Sequence, residues 1–157
     1  KTTAALGLAL RASGHGLKTY IGQFLKGQSY GELIALENNP HIKIEQYGAD
    51  TFVHVEKASA EDIANAEDGL QRARQAMFSG RYAVVILDEV LVAIHFRLLS
   101  VRDVLEFINE KPQHIEIVLT GRRAPQELIG RADLVTEMRE IKHYYQAGIS
   151  ARDGIER

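Results

Sequence analysis

Residues 82–89 read YAVVILDE, an apolar run that ends on two adjacent carboxylates. Tyr82 to Leu87 is too short for a buried helix and lies between turn signals, so it predicts a strand covered on both faces. Working outward, Ser59 to Asp62 forms a capping box, with an acid three residues after the serine. Ile63, Ala66, Leu70, Ala73 and Met77 then mark one face of a long helix that Gly80 ends. Downstream, Ser100 to Asp103 is a second box, opening a helix with Val101, Val104, Leu105 and Ile108 inside and Pro112 as its stop. Ile115 to Leu119 predicts another apolar strand, Pro125 suits the first turn of a helix, and Leu134 to Met138 predicts a last short strand.

Upstream, Thr2 to about Ser13 is rich in Ala and Leu and predicts a helix, stopped by a left-handed cap within Gly14-His15-Gly16. Lys18 to Leu25 reads as a strand and Tyr30 to Glu37 as a short helix closed by Asn38-Asn39-Pro40. His41 to Tyr47 alternates as a strand does. Strands alternating with helices predict an α/β fold: a mostly parallel central sheet with helices on both faces. With no internal repeat, linker or low-complexity tract, residues 1–157 are expected to form one domain.

Composition narrows the chemistry. There are 19 Lys and Arg against 21 Asp and Glu, a formal charge of −2, which gives no reason to expect nucleic acid as a partner. The absence of cysteine excludes disulfides, CxxC redox chemistry and thiolate metal sites. The six histidines show no pair at helical ligand spacing, and no serine or threonine sits in a nucleophile-elbow pattern. No apolar run approaches a membrane span and no signal peptide is visible, so a cytoplasmic location is the expectation.

In a parallel sheet, ligands bind beyond the carboxyl ends of the strands, and three clusters fall there. Lys1-Thr2-Thr3 opens directly onto a helix, where amides and macrodipole favour anions. In a Walker A loop the lysine reaches phosphate oxygens and the next hydroxyl binds magnesium. A helix that merely begins with polar residues is the plainer alternative. Asp88-Glu89 follows a buried strand as a Walker B acid does, although acids at a strand end also cap following helices. Thr120-Gly121-Arg122-Arg123 is a tight turn whose arginine could meet phosphate bidentately, or a solvated surface turn.

Together these stretches resemble the P-loop ATP:corrinoid adenosyltransferase family over nearly the whole length. The residues that carry the resemblance are KTTAALGLALRASGHG at the start, QFLKG at 23–27, YGEL at 30–33 and VVILDE at 84–89, followed by LLSVRDVLEFI. The long block VLTGRRAPQELIGRADLVTEMREIKH and the tail GISARDGIE complete it, and the long block is the specific part. The resemblance implies a three-layer, RecA-like P-loop NTPase fold, with a Gly-x-Gly-Lys-Gly loop and its strand expected to precede Lys1. It implies transfer of the 5′-deoxyadenosyl group of ATP to Co(I) of a corrinoid, with release of inorganic triphosphate. It further implies Mg²⁺, an external flavoprotein-type reductase and a homodimer.

Carried over residue by residue, Lys1 stabilises the leaving group, Thr2 and Thr3 contact triphosphate or metal, and Asp88 and Glu89 hold the metal or the ribose. Arg11 and Arg122 are placed near the nucleotide. The family's aromatic-rich stretch over the corrin reads TFVHV here (residues 51–55), leaving Phe52 and His54 as the corrin-facing residues. Tyr144-Tyr145-Gln146 and the terminal Glu156-Arg157 also depart from the family pattern. A P-loop ATPase or phosphotransferase giving ADP would use the same Lys1, Thr2 and Glu89, and an inactive corrinoid- or ATP-binding module is the other alternative.

Overall fold

The computed structural model describes residues 1–48 and 58–155. The YAVVILDE stretch supplies β3, Val84–Asp88, buried at every position. It lies inside an all-parallel four-stranded sheet with β1 (Thr19–Phe24), β2 (Ile42–Tyr47) and β4 (Glu116–Leu119), in the order β2-β1-β3-β4. Parallel pairing demands crossovers, and the connecting segments carry α2 (Gly31–Leu36), α3 (Ala60–Phe78), α4 (Val90–His95) and α5 (Val101–Asn109), while α1 (Thr2–Ser13) precedes β1 and α6 (Gln126–Arg131) follows β4.

Alternation along the strands builds two cores. Ile21, Ile42, Val84 and Ile86 face α1, whose alanines Ala5, Ala9 and Ala12 let the helix lie close to the sheet. On the opposite face Tyr20, Phe24, Val85 and Leu87 pack with α3, α4, α5 and α6. The larger residues are there, Phe107 and Met77 among them, each contributing on the order of 1.5–3 kcal/mol by leaving water. The result is three layers, as in a P-loop NTPase-like fold. At the outer edge of this second face, Tyr20, Tyr47 and Glu45 form a closed polar triangle.

Helix ends follow the expected chemistry. Both serines form capping boxes, Ser59 with Asp62 and Ser100 with Asp103. α1 ends in a Schellman motif: Leu17 N–H donates to Ala12 and Gly16 N–H to Ser13. Gly16 is the left-handed residue, with φ +73°.

The strand expected over Leu134 to Met138 does not form, and residues 132–155 are exposed throughout. A strand exists only through a ladder, and no strand of the described sheet pairs with this segment. Leu134 is 85% exposed, so its apolar pattern faces water rather than a sheet. Ile63 also departs from expectation, sitting partly exposed at the start of α3 while Ala66, Leu70, Ala73 and Met77 are buried.

Candidate active site

One polar row crosses the carboxyl edge of the sheet. Register places Gln46 beside Gln23 and Gln23 beside Asp88, and Thr120 follows Leu119, the partner of Leu87. One step earlier the same face carries Ile44, Ile21, Ile86 and Val118, so the sheet turns from apolar to polar within one pleat. The row is hydrogen-bonded along its length: Gln46 Nε2 donates to Gln23 Oε1 at 3.1 Å, and Gln23 Nε2 reaches Asp88 Oδ2 at 3.4 Å. Thr120 Oγ1 donates to Asp88 Oδ1 at 2.7 Å.

Asp88 is the centre of this arrangement and only 1% exposed. A carboxylate that deep is costly to hold without partners. Besides Thr120 and Gln23, it meets the Thr2 hydroxyl, 3.0 Å from both of its oxygens, and the Lys26 ammonium at 3.1 Å. Neither α1 nor α4 has a side-chain cap bond, and Asp88 meets α1 through the Thr2 hydroxyl at its N-terminus.

Glu89 leaves the strand in a left-handed turn, φ 60°, with its N–H donating to Thr120 Oγ1 at 2.9 Å. That conformation costs a non-glycine residue on the order of 1 kcal/mol. It sends the Glu89 side chain toward Lys1, whose Nζ lies 3.5 Å from Glu89 Oε1. Leu25 after β1 and Arg123 after β4 are left-handed too, at 60° and 59°. Three of the four left-handed non-glycine residues among those described thus follow a strand at the carboxyl edge of the sheet, Arg97 after α4 being the other. Gly121 belongs to the same edge: a Cβ there would stand 2.5 Å from Leu91 Cβ.

The Asp88 and Glu89 carboxylates and the Thr2 hydroxyl suit a hard divalent cation. No group of three His, Cys, Asp or Glu gathers among the described residues. Magnesium accepts that arrangement, because it is commonly held by one or two carboxylates together with substrate phosphates and water.

Lys1, Thr2, Asp88 and Glu89 are therefore brought together. Thr3 is exposed on the first turn of α1, beside but outside the hydrogen-bonded cluster. Arg11 is exposed in the last turn of α1, nine residues beyond Thr2, a rise of about 14 Å along the helix. Arg122 is exposed in the turn after β4, whereas its neighbour Arg123 places Nη1 2.7 Å from His95 Nε2. Phe52 and His54 lie outside the described residues.

Motif reading passed over Lys26 and Gln23, though both stand in the quoted QFLKG stretch, and also Glu32 and Gln46. Lys26 bonds Glu32 Oε1 at 3.4 Å, and Gln23 also donates to Glu32 Oε1, at 3.2 Å. The available signal was positional, a long polar Gln23 near the carboxyl end of a strand buried throughout.

Comparison with known proteins shows the family of the chain. The model of the family described as ATP:corrinoid adenosyltransferase BtuR/CobO/CobP matches residues 1–157. The chain belongs to that family. A corrinoid adenosyltransferase of Sinorhizobium sp is 36% identical over 159 residues, covering 99% of this chain and 74% of the relative. The corrinoid adenosyltransferase of Escherichia coli K12 is 34% identical over 157 residues, covering 99% of this chain and 79% of the relative. Corrinoid adenosyltransferase CobA of Salmonella typhimurium is 33% identical over the same proportions. The adenosyltransferases of this family are enzymes, and the row centred on Asp88 stands at the edge where a parallel sheet of this type binds its ligands.

Proposed function

We propose that this adenosyltransferase moves the 5′-deoxyadenosyl group of ATP to Co(I) of a corrinoid and releases inorganic triphosphate. The observation that carries the reading is the grouping of Lys1, Thr2, Asp88 and Glu89, with Thr2 Oγ1 at 3.0 Å from both Asp88 oxygens and Lys1 on Glu89. One ammonium against two carboxylates cannot neutralise a polyphosphate alone; with a divalent cation on the carboxylates, the grouping can.

Cobalt(I) in the substrate attacks C5′ of the ribose. The C5′–O bond breaks, its electron pair leaves on the triphosphate, and cobalt is oxidised from Co(I) to Co(III). Because the nucleophile carries no proton, the site needs no general base. The chain's task is to fix ribose against corrin and to receive the charge of the leaving group. Positioning can supply roughly 7–11 kcal/mol, whereas a helix terminus adds about 0.3–1 kcal/mol. Orientation therefore dominates, with Lys1 receiving triphosphate oxygens as they gain charge.

Thr2, Asp88 and Glu89 would hold Mg²⁺, which when bound supplies further neutralisation of the triphosphate. Thr3, Arg11 and Arg122 are assigned to the nucleotide, Phe52 and His54 to the corrin. We further assign a homodimer, an external flavoprotein-type reductase and a cytoplasmic setting. No helix among the described residues is long and apolar enough to cross a membrane.

The test follows the phosphorus. The complete gene product, given Mg-ATP and chemically reduced cob(I)alamin, is expected to form adenosylcobalamin and inorganic triphosphate in equal amounts by phosphorus NMR, with Lys1→Ala slower by about a hundredfold. ADP and orthophosphate formed regardless of corrinoid would replace this reading with an ATPase or phosphotransferase.

A further inference from the structure

Lys26 is brought to Asp88 by two unusual pieces of backbone. Leu25, the residue before it, is left-handed at φ 60° and donates its N–H to Tyr47 O at 3.0 Å. Gly48, after β2, passes so close that a Cβ there would stand 2.6 Å from Lys26 N. Only glycine allows that approach. The turn delivers Lys26 Nζ to 3.1 Å from Asp88 Oδ2, 3.5 Å from Thr2 Oγ1 and 3.4 Å from Glu32 Oε1, with the Tyr30 ring centroid 5.2 Å away.

The ammonium thus stands on the same carboxylate and hydroxyl that are assigned to Mg²⁺. Two cations on one carboxylate oxygen repel, and burial weakens the screening between them. Glu32 offers the ammonium a second anion without leaving the site. We propose that Lys26 is a tethered counter-ion that competes with divalent metal for Asp88 and passes to Glu32 when metal arrives. The inference rests on the assignment of Thr2 and Asp88 to the metal. Lys26 is then a positioning residue: it keeps Asp88 neutralised in the metal-free enzyme and sets metal affinity low. Metal is held well only when triphosphate oxygens complete its coordination.

The experiment is an EPR titration of Mn²⁺ onto the nucleotide-free full chain. Lys26→Met is expected to bind Mn²⁺ about tenfold tighter, the effect of removing one like charge at this range after screening. Lys26→Arg should stay near wild type. Glu32→Gln, which removes the alternative anion, should bind several-fold more weakly. A variant that was only loosened would lose affinity in every case, so the opposite signs separate the proposal from a structural role. If Lys26→Met unfolds for want of a cation at Asp88, Lys26→Gln keeps an N–H donor there and carries the same expectation. Equal or weaker Mn²⁺ binding by the neutral variants, with Asp88→Asn losing the metal, overturns the counter-ion role alone. Unchanged Mn²⁺ binding by Asp88→Asn overturns the metal assignment itself, and the counter-ion role with it.

Discussion

The Tyr20 and Tyr47 hydroxyls lie 2.8 and 2.6 Å from Glu45 Oε2 and 2.6 Å from each other, so their two protons serve three contacts. Burial pushes Glu45 upward, but the hydroxyls of Tyr47 and Tyr20, with Lys43 and Arg72 nearby, outweigh it and leave the carboxyl below its ordinary value. Burial first, then hydrogen bonding to Tyr47 and Glu45, raises Tyr20. Burial and the bond to Glu45 likewise raise Tyr47. Glu45 thus favours its charged form in the fold, so its contribution is present above about pH 4.3 and is lost as pH falls toward the folded value. The phenols favour their protonated forms, so theirs is present below about pH 10 and is lost as pH rises beyond that. Urea midpoints of Glu45→Gln should fall below wild type at neutral pH, and the gap should close below pH 4. At this scale, the grouping of Lys1, Thr2, Asp88 and Glu89 was legible because each pair is adjacent in sequence and falls at a strand or helix end. The place of Lys26 was not, because it arises from the left-handed Leu25 and the register of three strands, neither of which a local motif encodes.

Helices and strands were legible where local chemistry decides them. Ser59 and Ser100 announced α3 and α5, and each hydroxyl accepts from the N–H three residues on. The side-chain and backbone bonds from Ser100 hold Asp103 below the usual carboxylate range. Ser100→Ala should therefore cost about 1 kcal/mol of stability by denaturant unfolding at neutral pH. Part of that loss should vanish as pH falls and Asp103 takes up a proton in either protein. α4 went unforeseen: Val90–His95 is a brief apolar stretch with no capping side chain, entered through the left-handed Glu89. Leu134 to Met138 failed in the opposite direction, since a strand's pattern cannot supply its partner. Where structure depends on a neighbour distant in sequence, one chain read letter by letter gives no warning.

At the scale of the molecule, the alternation of strand and helix carried the three-layer fold, while quaternary structure left no comparable trace. The exposed residues 132–155 include Leu134, Val135, Met138, Ile141 and Tyr145, a run more apolar than isolated surface residues require. In the proposed homodimer a second copy would cover them. Light scattering after size exclusion is expected to give twice the chain mass, and Leu134→Asp with Ile141→Asp should return it to a monomer. The strand order has a further consequence, in time rather than space. β1 is central, paired on one side with β2 and on the other with β3, and Thr19 meets Val84 across that second ladder. Synthesis at about 5–20 residues per second delivers β3 roughly 3–13 s after β1. Through that interval the nascent chain offers an unpaired apolar edge, a natural point for a chaperone to bind. Only the arrival of YAVVILDE ends the wait.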